Sequence, residues 1–390
     1  MLLTATLCLL AAGAVMVYSA SSARDLLGQG GDGTAFLVKY VIYGGLGLLA
    51  LHLLTRVSLE RVRALTPFLV FVALALVFLT LVPGFGVEVN GGKRWLGAGP
   101  LQFQPSELLK LALVLYAARL LASTPDRVKS LKSVAGPLGL VAGAGIVLVA
   151  LQPDLGTALV ICMTMAAMLV AGGVPLKHLA YVAGGLVVLV TLFALLEPYR
   201  RARLTAFVDP WQDAGGAGFQ SVQGQIAVGS GGLFGVGLGQ SVQKIFYLPE
   251  AHTDFVLAVV AEELGVAGVS VLLFLYGMIA WAGLRAAKAA KGAYAKLAAA
   301  GLTSLILCQA TLNVFTVLGL APLTGVPLPF ISYGSSNLMV LLAAMGLLLN
   351  IAAGGTAASR PKRVPIRAPK LRAVSGDRKK RSAPRRRATG

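Results

Sequence analysis

The sequence predicts an all-α polytopic membrane protein with ten transmembrane helices, both termini cytoplasmic, and a large extracytoplasmic loop between helices 7 and 8. Three observations carry this. Of the 390 residues, 57% are hydrophobic and only 13% charged, against about 25% charged in an ordinary globular domain. Apolar runs close to the ~20 residues that cross a hydrocarbon core recur from Met1 to Ala353. Basic residues crowd alternate loops, which sets the orientation. The strand alternation of an outer-membrane barrel is absent.

The expected spans are roughly 2–19, 36–54, 64–82, 106–122, 134–151, 155–173, 178–196, 255–284, 297–319 and 334–353. The first has no basic n-region and no soluble mature domain behind it, so it reads as a membrane helix rather than a signal peptide. Segments 55–63, 119–133, 174–177 and 285–296 hold twelve Lys or Arg against Glu60 and Asp126. Thirteen more of the 34 basic residues lie between Arg360 and Arg387. Cytoplasmic termini put all of these on one side. The net charge of +19 is then a positive-inside bias plus a solvated tail, not a nucleic-acid surface. The expected organisation is a membrane domain over 1–355 and a basic, disordered cytoplasmic tail over 356–390. Cys8, Cys162 and Cys308 each fall in an apolar run, too scattered for a metal site.

The opposite, outer face receives Asp25, Asp32, Glu88, Asp154, Glu197, Asp209, Asp213, Glu250 and Asp254. Acid chemistry therefore faces away from ATP. Loop 83–105 gathers Gly, Pro and Trp95 around Lys93 and Arg94. Just beyond it, Glu107 and Lys110 share one helix face and can pair. Glu107 also suits a helix start, but a Lys one turn into a membrane segment needs a partner or a role. Asp154, in the short turn 152–154, reads as a helix cap.

Outer loop 197–254 is far longer than most connections, and its aromatics (Trp211, Phe219, Phe234, Phe246 and Tyr247) are not those of a disordered segment. Its glycines, Gly229 to Gly239, follow no strand and open no βαβ unit, so they are not a dinucleotide fingerprint. They would let backbone approach a ligand or another helix closely. Arg200, Arg201 and Arg203 are candidates to hold an anion. The stretch 240–263 then brings Glu250, His252, Asp254, Glu262 and Glu263 together. From the residues alone, Asp254 reads first as a helix cap and second as a catalyst. Residues 264–284 already suffice to span. So either 254–263 projects above the bilayer, or its carboxylates line a wet cavity.

Four motifs then carry a resemblance: NGGKRWLGAGPLQFQPSELLKL (90–111), QPDLGTALV (152–160), the run from FVDPWQD to VVAEELG (207–265), and PLPFISYGSSN (327–337). With them the chain resembles the SEDS family of bacterial cell-wall glycosyltransferases over nearly all of 1–355, and its division branch more than its elongation branch. The resemblance implies ten membrane helices with both ends cytoplasmic. It also implies polymerisation of lipid II, the undecaprenyl-pyrophosphate disaccharide-pentapeptide, at the outer face of the cytoplasmic membrane during septal wall synthesis. The family's essential aspartate carries over to Asp254, flanked by His252 and Thr253. Its PSE-x-x-K pair carries over to Glu107 and Lys110, as positioning residues. Implied partners are a class B, single-span penicillin-binding transpeptidase and other division-complex membrane proteins, with no nucleic acid.

Lipid II carries its own leaving group, so the outward site needs no nucleotide. It needs a base for the acceptor hydroxyl, for which Asp254 is the candidate, and partial desolvation would suit that carboxylate to the task. Candidate groups for holding substrate and its pyrophosphate are Arg94, Gln104, Lys244, Arg200, Arg203 and Ser332. The sequence specifies no cofactor, and a divalent cation, Mg or Mn, would suit the pyrophosphate. Where the family reads YGGSS this chain reads YGSSN, GYQ reads GFQ at Phe219, and DFIFAV reads DFVLAV. A lipid II flippase and a non-catalytic scaffold are the competing classes. Against the first, no internal repeat is visible and the acids cluster on one face.

Overall fold

The computed structural model describes residues 1–28, 33–89, 92–98, 101–123, 131–175, 206–216, 218–245, 247–249 and 251–355, with isolated positions 177, 180 and 184. The helices are α1 (Leu2–Gly28), α2 (Ala35–Leu54), α3 (Leu59–Leu81), α4 (Pro105–Ser123), α5 (Leu131–Leu151), α6 (Leu155–Ala171), α7 (Phe219–Ser230), α8 (Val256–Ala289), α9 (Ala293–Val317) and α10 (Ser335–Ala352). Among the described residues, α1, α2, α3, α8, α9 and α10 are long and apolar enough to cross a membrane. This makes the chain a helical, multi-pass membrane protein. Helix α4 is as long but carries Glu107, Lys110 and Arg119, and α5 and α6 contribute shorter apolar stretches. Of the span expected at 178–196 only positions 180 and 184 are described, and the tail at 356–390 lies outside the described residues.

Polarity is arranged for hydrocarbon outside rather than water. Helix α3 exposes Phe68, Phe71 and Phe78, while buried Thr66 and Thr80 return their hydroxyls to carbonyls of their own helix. Helices close in where small residues permit. A Cβ on Gly346 would sit 2.5 Å from the Leu51 carbonyl, and one on Gly47 would sit 2.5 Å from Leu342, so α2 and α10 pack with backbones nearly touching. Asn350 then donates to the carbonyls of Leu54 (2.9 Å) and Val57 (2.6 Å), binding the end of α10 to the α2–α3 turn.

Two features depart from the expected all-α layout. Segment 83–105 is not a plain loop. Strands β1 (Gly86–Val89), β2 (Gly92–Ala98) and β3 (Leu101–Phe103) form an antiparallel sheet in that order, with Gly86 opposite Leu96 and Leu96 opposite Phe103. The stretch 197–254, expected as a loop, holds the amphipathic α7. The alternation that marks β2 is short and Gly-rich, which is why a helix-dominated reading passed over it.

Helix α8 is broken. Gly265 adopts φ 65°, ψ −164°, a conformation open essentially to glycine. An unbroken helix would bond Val266 N to Glu262 O and Ala267 N to Glu263 O. Here Glu262 O and Glu263 O accept instead from Val236 N and Gly237 N (both 3.0 Å). Val266 N and Ala267 N turn to Gly232 O (3.0 Å) and Leu233 O (3.1 Å). The glycine-rich loop is thus spliced into the helix ladder. Close approach requires its glycines, as expected: a Cβ on Gly231 would lie 1.8 Å from Ala261 O, and one on Gly235 2.1 Å from Glu263 O. Beyond the break, the residues from Val266 to Ala289 rise about 36 Å, enough to span.

This predicts a contrast within one loop. Gly235→Ala, at φ 79° and with no room, should lower stability by about 1–3 kcal/mol. Gly229→Ala, with nothing within 4 Å at the end of α7, should be neutral or stabilising by up to about 1 kcal/mol. Thermal midpoints of the two variants in one detergent check this.

Candidate active site

Asp254 lies in the turn 251–255 that leads into α8. The N-cap of α8 is Phe255, fully buried, so Asp254 stands one residue ahead of the capping position. Its carboxylate is half-buried. Thr253 Oγ1 donates to Oδ1 (3.1 Å), and Oδ2 sits 3.9 Å from where a Cβ on Gly325 would be. The backbone carbonyl of Asp254 accepts from Asn313 Nδ2 at 2.7 Å. The turn is wedged on its other side by His252, whose ring packs at 4.3 Å from Phe36 of α2 and 5.9 Å from Tyr333. Tyr333 N donates to the His252 carbonyl (2.9 Å). Burial, and then neighbouring Tyr43, push the Tyr333 phenol above its ordinary pKa, so it stays protonated.

Glu107 and Lys110 do pair, at 2.8 Å, with both side chains buried. A buried pair needs its remaining valences filled. Asn337 Nδ2 donates to Glu107 Oε2 (2.7 Å), Lys110 Nζ donates to Gln309 Oε1 (2.8 Å), and Gln309 Nε2 donates to Pro327 O (2.9 Å). Asn337 is one of the positions where the chain departs from the family pattern, and it is the residue that completes the Glu107 carboxylate. Ser335, another departure, lies in the first turn of α10 with its hydroxyl 3.5 Å from Gln102 O.

The remaining candidates divide. Asp154 caps α6 as expected, accepting from Thr157 N (3.0 Å), and its other oxygen accepts from Gln104 Nε2 (3.1 Å). Arg94 donates to Gln152 O (3.0 Å) and Pro153 O (2.7 Å), clamping the same turn, whose Pro153 has φ 27°. Gln104 N also donates to Ser336 Oγ (2.8 Å). Ser332, buried, accepts from Leu328 N (2.8 Å) inside the turn that precedes α10. Arg200, Arg201, Arg203 and Glu250 lie outside the described residues.

Lys244 is placed differently from an outward anion holder. Its ammonium is buried, 2.7 Å from Glu263 Oε1 and 3.0 Å from Ser19 Oγ of α1. Ser19 completes Glu263 with its one hydroxyl hydrogen, which is shared between the two carboxylate oxygens (2.7 and 2.8 Å). Glu262 accepts from Ser241 Oγ and from Val242 N (3.0 Å). So neither carboxylate needs projection above the bilayer or a wet cavity: both are satisfied by the protein itself. Among the described residues, no three His, Cys, Asp or Glu side chains converge as a ready-made metal site.

Gln309, Asn313 and Asn337 escaped the reading from sequence, which weighed acids and bases. Their signal was an amide deep inside an apolar helix, where an unpaired polar group is costly.

The matching family model, described as cell cycle protein and covering FtsW, RodA and SpoVE, spans residues 1–356. The chain belongs to this family. It is 39% identical over 355 residues to stage V sporulation protein E of Bacillus subtilis, covering 90% of this chain and 96% of that one. It is 42% identical over 354 residues to a probable peptidoglycan glycosyltransferase FtsW of Thioalkalivibrio sulfidiphilus, covering 88% and 87%. Among solved structures, a chain of a peptidoglycan synthase complex that coordinates polymerization and crosslinking matches with TM-score 0.75 and 33% identity, over 90% of this chain and 96% of that one. The rod shape determining protein RodA of Thermus thermophilus matches with TM-score 0.66 and 32% identity, over 90% and 95%.

The placement of Lys244 is testable. Lys244→Met leaves the Glu263 carboxylate buried without its cation and should cost about 3–5 kcal/mol. Adding Glu263→Gln should restore most of the thermal midpoint, and with it glycan synthesis. Restored stability with activity still lost would return Lys244 to the anion-holding set.

Proposed function

We propose that this chain polymerises lipid II into glycan strands at the outer face of the cytoplasmic membrane, with Asp254 as general base. The observation that carries the reading is the setting of Asp254. A half-buried carboxylate stands just outside a helix, at the meeting point of α2, α8, α9 and the 325–333 segment, in a chain of the FtsW, RodA and SpoVE family. Like the curated FtsW relatives, the chain is a peptidoglycan glycosyltransferase. Ten spans with both ends cytoplasmic are the topology this reading uses, because they place loop 197–254 and Asp254 outside.

In the proposed step, the Asp254 carboxylate takes the proton of the acceptor sugar hydroxyl. As the new bond from that oxygen forms at the donor's anomeric carbon, the bond to undecaprenyl pyrophosphate breaks, and configuration inverts. One essential carboxylate suits direct displacement better than a covalent route, which takes two. The half-exposed setting keeps the carboxylate reachable while removing part of the water that would weaken it as a base. Arg200 and Arg203 remain candidates for the pyrophosphate. Arg94, Gln104 and Ser332 support the reading as frame, since each secures a turn around the site. A class B penicillin-binding transpeptidase is the proposed partner, supported by the likeness to a chain from a polymerising and crosslinking complex, and the septum the proposed location.

The test is glycan synthesis from labelled lipid II by the purified protein, with and without its cognate transpeptidase. Wild type should make polymer. Asp254→Ala, eluting as a folded species in detergent, should lose at least about 100-fold. Equal polymer from both would remove Asp254 as the base. Translocation without polymer from wild type would favour a flippase.

A further inference from the structure

Helix α9 carries three polar side chains at 309, 313 and 316, a spacing that puts them on one face. All three are buried, and all three face the chain returning from α9 toward α10. Thr316 Oγ1 reaches Pro322 O (3.3 Å) and Thr324 Oγ1 (3.2 Å). Asn313 Nδ2 donates to Val326 O (2.8 Å), and Gln309 Nε2 to Pro327 O (2.9 Å). The returning segment is thus laid along α9 residue by residue.

Two of these amides do more than hold that segment. Asn313 uses its second Nδ2 hydrogen on the Asp254 carbonyl (2.7 Å), while its Oδ1 accepts nothing among the described residues. What this position requires is a two-pronged donor, with both prongs on backbone carbonyls. Gln309, one turn away, uses its Oε1 on Lys110 Nζ (2.8 Å), the partner of Glu107. A continuous path therefore runs from Asn337 and Glu107 to Lys110, Gln309, the carbonyls of Pro327 and Val326, Asn313, and the Asp254 backbone. Gly325, at φ 67°, lies next to the path and frames the Asp254 carboxylate.

We propose that Asn313 and Gln309 are positioning residues that transmit the placement of the buried Glu107–Lys110 pair to Asp254. This rests on Asp254 as the base. Glu107 and Lys110 then act without touching substrate, because α9 carries their geometry to the turn ahead of α8. Loss of the Asn313 amide removes its hydrogen bonds to the Asp254 and Val326 carbonyls and loosens the tie between the turn and α9. A misplacement of about 1 Å can cost a reaction about 100-fold.

The experiment is steady-state glycan polymerisation by the full-length protein across lipid II concentration, with rates expressed per folded molecule. Asn313→Ala, Asn313→Ser and Asp254→Asn are compared with wild type. Asn313→Ala should lower kcat about 10- to 100-fold with KM within about threefold, since the defect lies in the base and not in binding. Asn313→Ser keeps one donor and should fall between. An unchanged kcat in both Asn313 variants, or a loss confined to KM, would overturn the proposal. If Asn313→Ala does not fold, Asn313→Ser decides by the same criteria. Asp254→Asn separates the two layers. If it polymerises like wild type, the base assignment fails. If it is inactive while the Asn313 variants keep full kcat, only the positioning role fails.

Discussion

A polar group inside a membrane segment must find its partner within the protein, and this constraint shapes every part of the site. Water satisfies such groups at a soluble protein's surface, but hydrocarbon does not. The chain answers with amides, ion pairs and helix carbonyls drawn from elements distant in sequence. Glu263 is satisfied by Lys244 from the loop before α8 and Ser19 from α1, and Glu107 by Lys110 and by Asn337 from α10. Each of these groupings ties together elements distant in sequence. Apolar packing alone is permissive about rotation and register, and polar partners remove that freedom.

The broken α8 obeys the same rule. A Gly265 break would strand four backbone groups, and the glycine-rich loop supplies a partner for each. Only glycine lets the two backbones come so close. The side chains beside the break are secured by the same loop, since Ser241, Val242 and Lys244 take up Glu262 and Glu263. The first half of α8, which begins just after Asp254, is therefore held by loop and helix bundle together. Asp254 is fixed from both ends of that half: the break behind it and Asn313 beside it.

Residues of the outer-face motifs named from sequence, Arg94, Gln104 and Ser332 among them, also secure turns of the frame. Arg94 holds the Gln152 and Pro153 carbonyls and Gln104 holds the Asp154 carboxylate around the 152–154 turn, and Ser332 secures the turn before α10.

Composition, apolar run lengths and loop charge were enough to establish a helical membrane protein and to locate most of its helices, because hydrocarbon imposes its length and polarity on each segment separately. The Glu107–Lys110 pair and the Asp154 cap were legible for a related reason: both are set by spacing within a few residues. The sheet at 86–103 was not, because three short Gly-rich strands leave little period to read. Nor was the fate of Lys244, Glu262 and Glu263, whose partners lie up to 244 residues away. Asn313 and Gln309 looked like isolated amides in an apolar helix until the fold brought the 322–327 segment and Lys110 to them. Local spacing is written in the chain. Which distant group satisfies a buried polar atom is decided only when the helices have packed.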